Sequence, residues 1–78
     1  MSQREFDLDH IFTYHPPSND QVYTYNKLRT AAKEFAKVLI ECTPPSADQS
    51  DAIRKLRECV FTANASIALG GRLHKEGN

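Results

Sequence analysis

The sequence predicts an all-α protein: an antiparallel hairpin of two long helices behind a short N-terminal arm or helix, assembled as a compact homo-oligomer. Three observations predict it. Apolar residues recur at spacings of three and four through two long stretches, the period of a helix with one buried face. Each stretch opens on the same helix-starting block. The chain has 78 residues, and a domain this small removes only about 60% of its unfolded surface from water, so two helices need partners to complete a core.

Residues 1–15 form the arm. Ile11, Phe12 and Tyr14 make the stretch from Asp9 to Tyr14 apolar enough to pack, as a short helix or as an extended segment. The first long helix is expected over 19–41 and is announced by Pro16-Pro17-Ser18-Asn19-Asp20-Gln21. The prolines keep helix from extending backwards. Ser18 and Gln21 fit a reciprocal capping box, and Asp20 puts negative charge in the first turn, where the helix dipole favours it. Val22, Tyr25, Leu28, Ala32, Phe35 and Leu39 then line one face, with Ala36 and Ile40 widening it.

The starting block recurs 28 residues later as Pro44-Pro45-Ser46-Ala47-Asp48-Gln49, again with a capping-box pair in Ser46 and Gln49, and Lys27-Leu28-Arg29 recurs as Lys55-Leu56-Arg57 at the same shift. The second long helix is expected over 47–69, with Ile53, Leu56, Val60, Ala63 and Ile67 in a near-heptad seam. The link Thr43-Pro44-Pro45 is too short for anything but an antiparallel pair. Gly70-Gly71 supplies a left-handed stop, and Arg72 to Asn78 read as a frayed tail. Phe61 and Leu69 lie off the seam, and the small residues from Thr62 to Ser66 allow another helix to approach closely. Asn64 among them either fixes register at such an interface or faces water.

Hydrophobic residues make up 40% of the chain and charged residues 26%, an ordinary globular balance for a single domain spanning 1–78. Lys and Arg number 10 and Asp and Glu 10, so the net charge is zero, which counts against binding long nucleic acids. No apolar run approaches the roughly 18 residues of a membrane span, and Met1 to Asp9 is too polar for a secretory signal. Cys42 and Cys59 form no C-x-x-C pair, and an offset of ~10 helical residues, about 15 Å, separates them beyond disulfide reach, so free thiols are expected. His10, His15 and His74 show no helical ligand spacing, which argues against a metal site. No nucleophile, paired carboxylate or phosphate loop stands out. The expectation is no catalytic residue, no metal and no cofactor.

The neutral total hides an uneven distribution. Residues 1–20 carry net −3, residues 21–45 net +2 and residues 46–78 net +1. Arg29, Lys33 and Lys37 follow one another at i, i+4 and line one helix face, with Ala32 and Ala36 beside them leaving room. Such a strip suits a small anion with a flat apolar part, or is simply a solvated face. Just upstream, Phe12, Tyr14 and His15 precede the stiff Pro16-Pro17 pair. The flat Tyr14 and His15 rings can stack on nucleobases; equally, Phe12 and Tyr14 can act as a hydrophobic staple holding the arm to the hairpin.

A resemblance bears on this choice. Phe12-Thr13-Tyr14-His15-Pro16-Pro17, the capped helix with Leu28-Arg29 and Ala31-Ala32-Lys33, the run from Ser46 to Arg57, and Phe61-Thr62-Ala63-Asn64-Ala65 together resemble small bacteriophage anti-CBASS proteins, cyclic-oligonucleotide sponges that share a helical hairpin with certain anti-Thoeris proteins. The resemblance covers about residues 12–69 and implies a non-enzymatic protein, a homohexamer of hairpins. It implies sequestration of cyclic dinucleotides such as 3′,3′-cyclic GMP–AMP in the cytoplasm of an infected bacterial host, so that the defence effector is never activated. By that resemblance Tyr14 matches the arm tyrosine of the dinucleotide site, with Phe12 and His15 beside it. Arg29 matches its basic residue, with Lys27 and Lys33 as alternatives. A cyclic trinucleotide site would use Arg57 or Arg54. Two other readings remain: a hairpin oligomer that meets an acidic protein through its basic strip, and a sponge for a cyclised ADP-ribose signal.

Overall fold

The computed structural model describes residues 5–75. The first four residues of the arm and residues 76–78 of the tail lie outside the described residues. Three helices follow in order: α1 (Leu8–Phe12), α2 (Asn19–Cys42) and α3 (Ala47–Leu69). The described residues form no β-strand, only one isolated antiparallel bridge between Phe6 and His74.

The helix starts follow from their caps. The Ser18 hydroxyl accepts from the Gln21 amide at 3.2 Å, and the Gln21 side chain accepts from the Ser18 amide at 3.0 Å, closing the reciprocal box. Ser46 caps α3 in the same way, accepting from the Gln49 amide at 3.1 Å. The second half of that box does not form. The Gln49 carboxamide instead donates to the Thr43 carbonyl and hydroxyl, each at 3.1 Å, and to the Ile40 carbonyl at 3.4 Å. Those carbonyls at the end of α2 lack helical donors, so Gln49 stitches the interhelical turn rather than its own cap.

Along the hairpin, α2 turns Tyr25, Leu28, Ala32, Ala36 and Leu39 toward α3, which returns Ile53, Leu56, Val60, Ala63 and Ile67; all are half-buried. The Gln21 carboxamide adds a cross-link at the open end, donating to the Ile67 carbonyl at 3.3 Å. Two helices touch along a line, so the flanks of the predicted apolar face stay uncovered: Val22, Phe35 and Ile40 on α2 and Phe61 on α3 are exposed. Asn64 does not simply face water, because its Oδ1 is shielded and has no hydrogen-bond partner among the described residues. Cys42 and Cys59 are exposed free thiols. Among the described residues, no helix is long and apolar enough to cross a membrane.

Among the described residues the most buried side chain is Leu69, 9% exposed. At 100° per residue Leu69 lies about 180° around α3 from Val60, so α2 does not cover it. Arm and tail both reach its backbone: the His10 ring and the Arg72 amide each bond to the Leu69 carbonyl, at 2.9 and 3.2 Å. Gly70 and Gly71 both adopt left-handed backbone, φ +64° and +75°. The Gly70 amide donates to Ile67 at 3.2 Å and the Gly71 amide to Ser66 at 2.8 Å, the paired bonds of a Schellman stop. The second left-handed residue sends the chain back toward the arm. The stretch that composition reads as frayed is therefore docked as far as Lys75: the Asp7 amide donates to Leu73 and the Lys75 amide to Glu5, both at 2.9 Å.

Candidate functional site

The arm is held from several sides. Asp7 caps α1, accepting from the His10 amide at 3.2 Å, and also receives Arg72 Nη1 at 2.8 Å. The Arg72 guanidinium, and after it the His10 amide, hold the Asp7 carboxyl below its ordinary value of 3.8. The His10 ring donates from Nε2 to the Leu69 carbonyl at the end of α3, 2.9 Å away. A carbonyl can only accept, which fixes Nε2 of His10 as the protonated nitrogen.

Beyond α1 the chain is extended. The Thr13 hydroxyl donates back to the Asp9 carbonyl, and His15 Nε2 donates back to the His10 carbonyl at 2.6 Å. The His10 and His15 rings meet edge to face, centroids 4.8 Å apart. Tyr14 lies between these two ties with its ring in solvent, 79% exposed, and Phe12 is 81% exposed. Neither ring staples the arm to the hairpin. His10 does that holding through the Leu69 carbonyl, and His15 folds back onto His10, so its ring supports the arm rather than offering a free stacking face.

The basic candidates divide by helix face. Arg29 and Lys33 stand one turn apart on the same flank of α2, both exposed. Arg29 Nη1 donates to Asn26 Oδ1 at 2.8 Å, which leaves its other donors outward. Lys33 has no ion-pair partner among the described residues, whereas Lys37 pairs with Glu34 at 3.3 Å. Lys27 lies about 160° around the helix from Arg29 at 100° per residue. It joins Tyr23, Asn26, Thr30 and Ala31 around an open hollow of about 460 Å³ on the outer side of α2. Lys27 and Arg29 therefore leave α2 on different sides, with Asn26, which lines the hollow and accepts from Arg29, between them. Sequence reasoning missed Tyr23, Asn26 and Thr30. Their spacing with Lys27 and Ala31 repeats every three to four residues, a readable signal that the search for charge passed over.

On α3, Arg57 lies over the Phe61 ring, 5.2 Å from its centroid, and has no ion-pair partner among the described residues. Arg54 is spent differently: Asp51 accepts from both Arg54 and Lys55. Those bonds, Lys55 first, hold the Asp51 carboxyl low, and Asp51 in turn raises the Lys55 ammonium above its ordinary value. Of the two arginines, Arg57 keeps its donors available for an anion, beside an aromatic face.

Within one chain these parts do not converge. Arg29 stands ten residues into α2 from Asn19, about 15 Å of helical rise. No hydrogen bond or ring contact joins Phe12 or Tyr14 to Lys27, Arg29 or Lys33 among the described residues. Nor do those residues contain a group of three potential metal ligands. A family model described as "Acb2/Tad1, hairpin domain" matches residues 7–68, from the cap of α1 to the last turn of α3. No curated protein and no solved structure matches the chain.

Proposed function

Because the chain belongs to the Acb2/Tad1 hairpin family, we propose that it is an anti-defence protein that sequesters a cyclic dinucleotide without cleaving it, in a site completed by two copies of the chain. The observation that carries this reading is the separation of two half-sites: an outward Tyr14 on a held arm, and the exposed Arg29 and Lys33 well along α2.

A cyclic dinucleotide has two bases and two phosphates. Two protomers about a two-fold axis offer it two Tyr14 rings and two Arg29 guanidiniums. Each ring stacks one base, worth about 1–3 kcal/mol, and each guanidinium meets one phosphate through charge-assisted hydrogen bonds. Lys33 adds positive charge one turn on, Phe12 extends the apolar side, and His15 keeps Tyr14 in place. Lys27 faces elsewhere and stands outside this site. The exposed Val22, Phe35, Ile40 and Phe61 supply the apolar surface on which the protomers assemble, as a hexamer. Arg57, with Phe61 beneath it, is the better candidate for a separate cyclic trinucleotide site, since Arg54 is engaged by Asp51. In an infected bacterial cell such a protein would keep the signal, 3′,3′-cyclic GMP–AMP or a relative, from its effector.

Titration calorimetry against 3′,3′-cyclic GMP–AMP, a cyclic trinucleotide and a cyclised ADP-ribose, with mass by light scattering in parallel, tests the reading. The expected result is one cyclic dinucleotide per pair of chains and intact ligand after the protein is denatured. Tyr14→Ala should abolish binding and keep the oligomer mass. Absence of binding by all three ligands sinks the proposal, and recovery of linear product makes the protein a nuclease. Binding of the cyclised ADP-ribose alone keeps the sponge and changes its signal. Should Tyr14→Ala lower the mass, Tyr14 is a packing residue, which favours a hairpin oligomer that meets an acidic protein through its basic flank.

A further inference from the structure

The tail contacts follow one line from Arg72 to Tyr14. Arg72 Nη1 donates to Asp7 Oδ2 at 2.8 Å and to the His74 carbonyl at 3.0 Å, so it joins arm and tail. The His74 ring stacks on Phe6, centroids 4.7 Å apart and planes 24° off parallel. Lys75 pairs with Glu5 at 3.5 Å, beside the two backbone bonds that link residues 5 and 7 to 75 and 73. Asp7, held this way, caps α1. From α1, the Asp9 and His10 carbonyls then tie down Thr13 and His15, the neighbours of Tyr14.

We propose that residues 72–75 are a latch that orients the ligand-binding arm, and that Arg72 is a positioning residue for Tyr14 although it touches no ligand. This rests on the reading of Tyr14 as a binding residue. Apart from the His10 bond to the Leu69 carbonyl, no hydrogen bond among the described residues ties residues 5–15 to the two long helices. The joint contacts of arm and tail are few and lie near the surface, so opening of the arm is a low-energy local event. A ligand that needs the arm closed binds more weakly by the reciprocal of the closed fraction, so affinity falls in step with opening once the arm is open for half the time or more.

The test uses the full chain with Arg72→Lys, Arg72→Gln and Arg72→Glu. Amide hydrogen exchange over residues 8–15 reads the latch without any ligand; calorimetry with 3′,3′-cyclic GMP–AMP reads its effect on binding. Arg72→Lys keeps the charge opposite Asp7 and should stay close to the unsubstituted protein. Arg72→Gln should speed exchange and weaken binding, on the order of threefold to tenfold each. Arg72→Glu sets like charges together and should be the weakest of the series, while exchange in the middle of α2 and α3 stays unchanged. Unchanged exchange in the arm overturns the latch. Faster exchange with unaltered affinity overturns the positioning role. Failure of the unsubstituted protein to bind any cyclic nucleotide sinks the proposed function instead, and the exchange measurement still decides whether the latch exists.

Discussion

Gly71 offers the sharpest test of the folded-back tail. Its φ is +75°, and a Cβ built there meets nothing within 4 Å. Packing therefore adds no cost to a methyl group at this position, and only backbone preference decides the outcome. An L-residue in left-handed conformation pays about 1–2 kcal/mol. Loss of glycine's freedom in the unfolded chain returns about 0.4–1 kcal/mol. Gly71→Ala should thus destabilise by about 1 kcal/mol, a fall of roughly 4–8 °C in melting temperature for a chain of this size. The D-alanine enantiomer at the same position, accessible by chemical synthesis, favours φ > 0 and keeps the entropic gain. It should raise stability by about 0.4–1 kcal/mol. Thermal unfolding followed by circular dichroism at matched protein concentration separates the two. Equal melting temperatures for the enantiomers would refute a left-handed Gly71, and with it the turn that docks the tail.

Other expectations follow from the same geometry. Ser18→Ala removes the acceptor of a complete capping box and should cost about 1 kcal/mol, readable in the same melting experiment. Asp7 and Asp51 have folded carboxyls held below their ordinary value of 3.8, so their stabilisation is present above that value and lost as pH falls through the lower folded value. Lys55 is raised above 10.5, so its share is present below 10.5 and lost as pH climbs past the folded value. Melting temperature against pH should accordingly fall off on the acid side below 3.8, and a profile level down to pH 2 would contradict the Arg72–Asp7 and Asp51 pairings. Phe35→Glu places a charge on an exposed apolar flank of α2 and should lower the oligomer mass seen by light scattering, with helical content by circular dichroism retained; an unchanged mass would remove Phe35 from the interface.

Much of the fold was legible in the sequence because it is written in local terms. Ser18 with Gln21, Ser46 with Asp48, and the three-and-four spacing of Leu28, Ala32 and Leu39 act within one or two turns, and each is visible without knowing what lies opposite. What escaped depends on long-range meetings. Gln49 is indistinguishable from Gln21 in its block, yet its amide goes to Thr43, because only the folded turn brings those unsatisfied carbonyls within reach. Arg72 to Lys75 are too few and too polar to suggest structure, and they dock because Gly71 points them at an arm some 65 residues earlier in the chain. The candidate site shows the same division. The i, i+4 pairing of Arg29 and Lys33 was readable, and the wheel separates Lys27 from them. That Phe12 and Tyr14 face solvent, and that His15 folds back onto His10, was not readable from ring type alone.

Leu69 bears on how the parts depend on one another. It is the most buried side chain among the described residues, yet it lies on the side of α3 away from the hairpin seam. The seam itself is only half covered, so α2 and α3 by themselves resemble one side of an interface more than a finished core. The arm and tail meet at the Leu69 carbonyl, where His10 and Arg72 both bond, and the same arm carries the exposed Tyr14. Association through the flanks of α2 and α3 would complete the rest. Whatever loosens the arm also releases the His10 bond to the Leu69 carbonyl at the end of α3. A chain of zero net charge can still hold a doubly charged ligand on this plan, because Asp7 and Glu5 are matched by Arg72 and Lys75 within the latch. That pairing removes part of the acidic arm's repulsion toward an anion and leaves the exposed Arg29 and Lys33 to set the local field along their flank of α2.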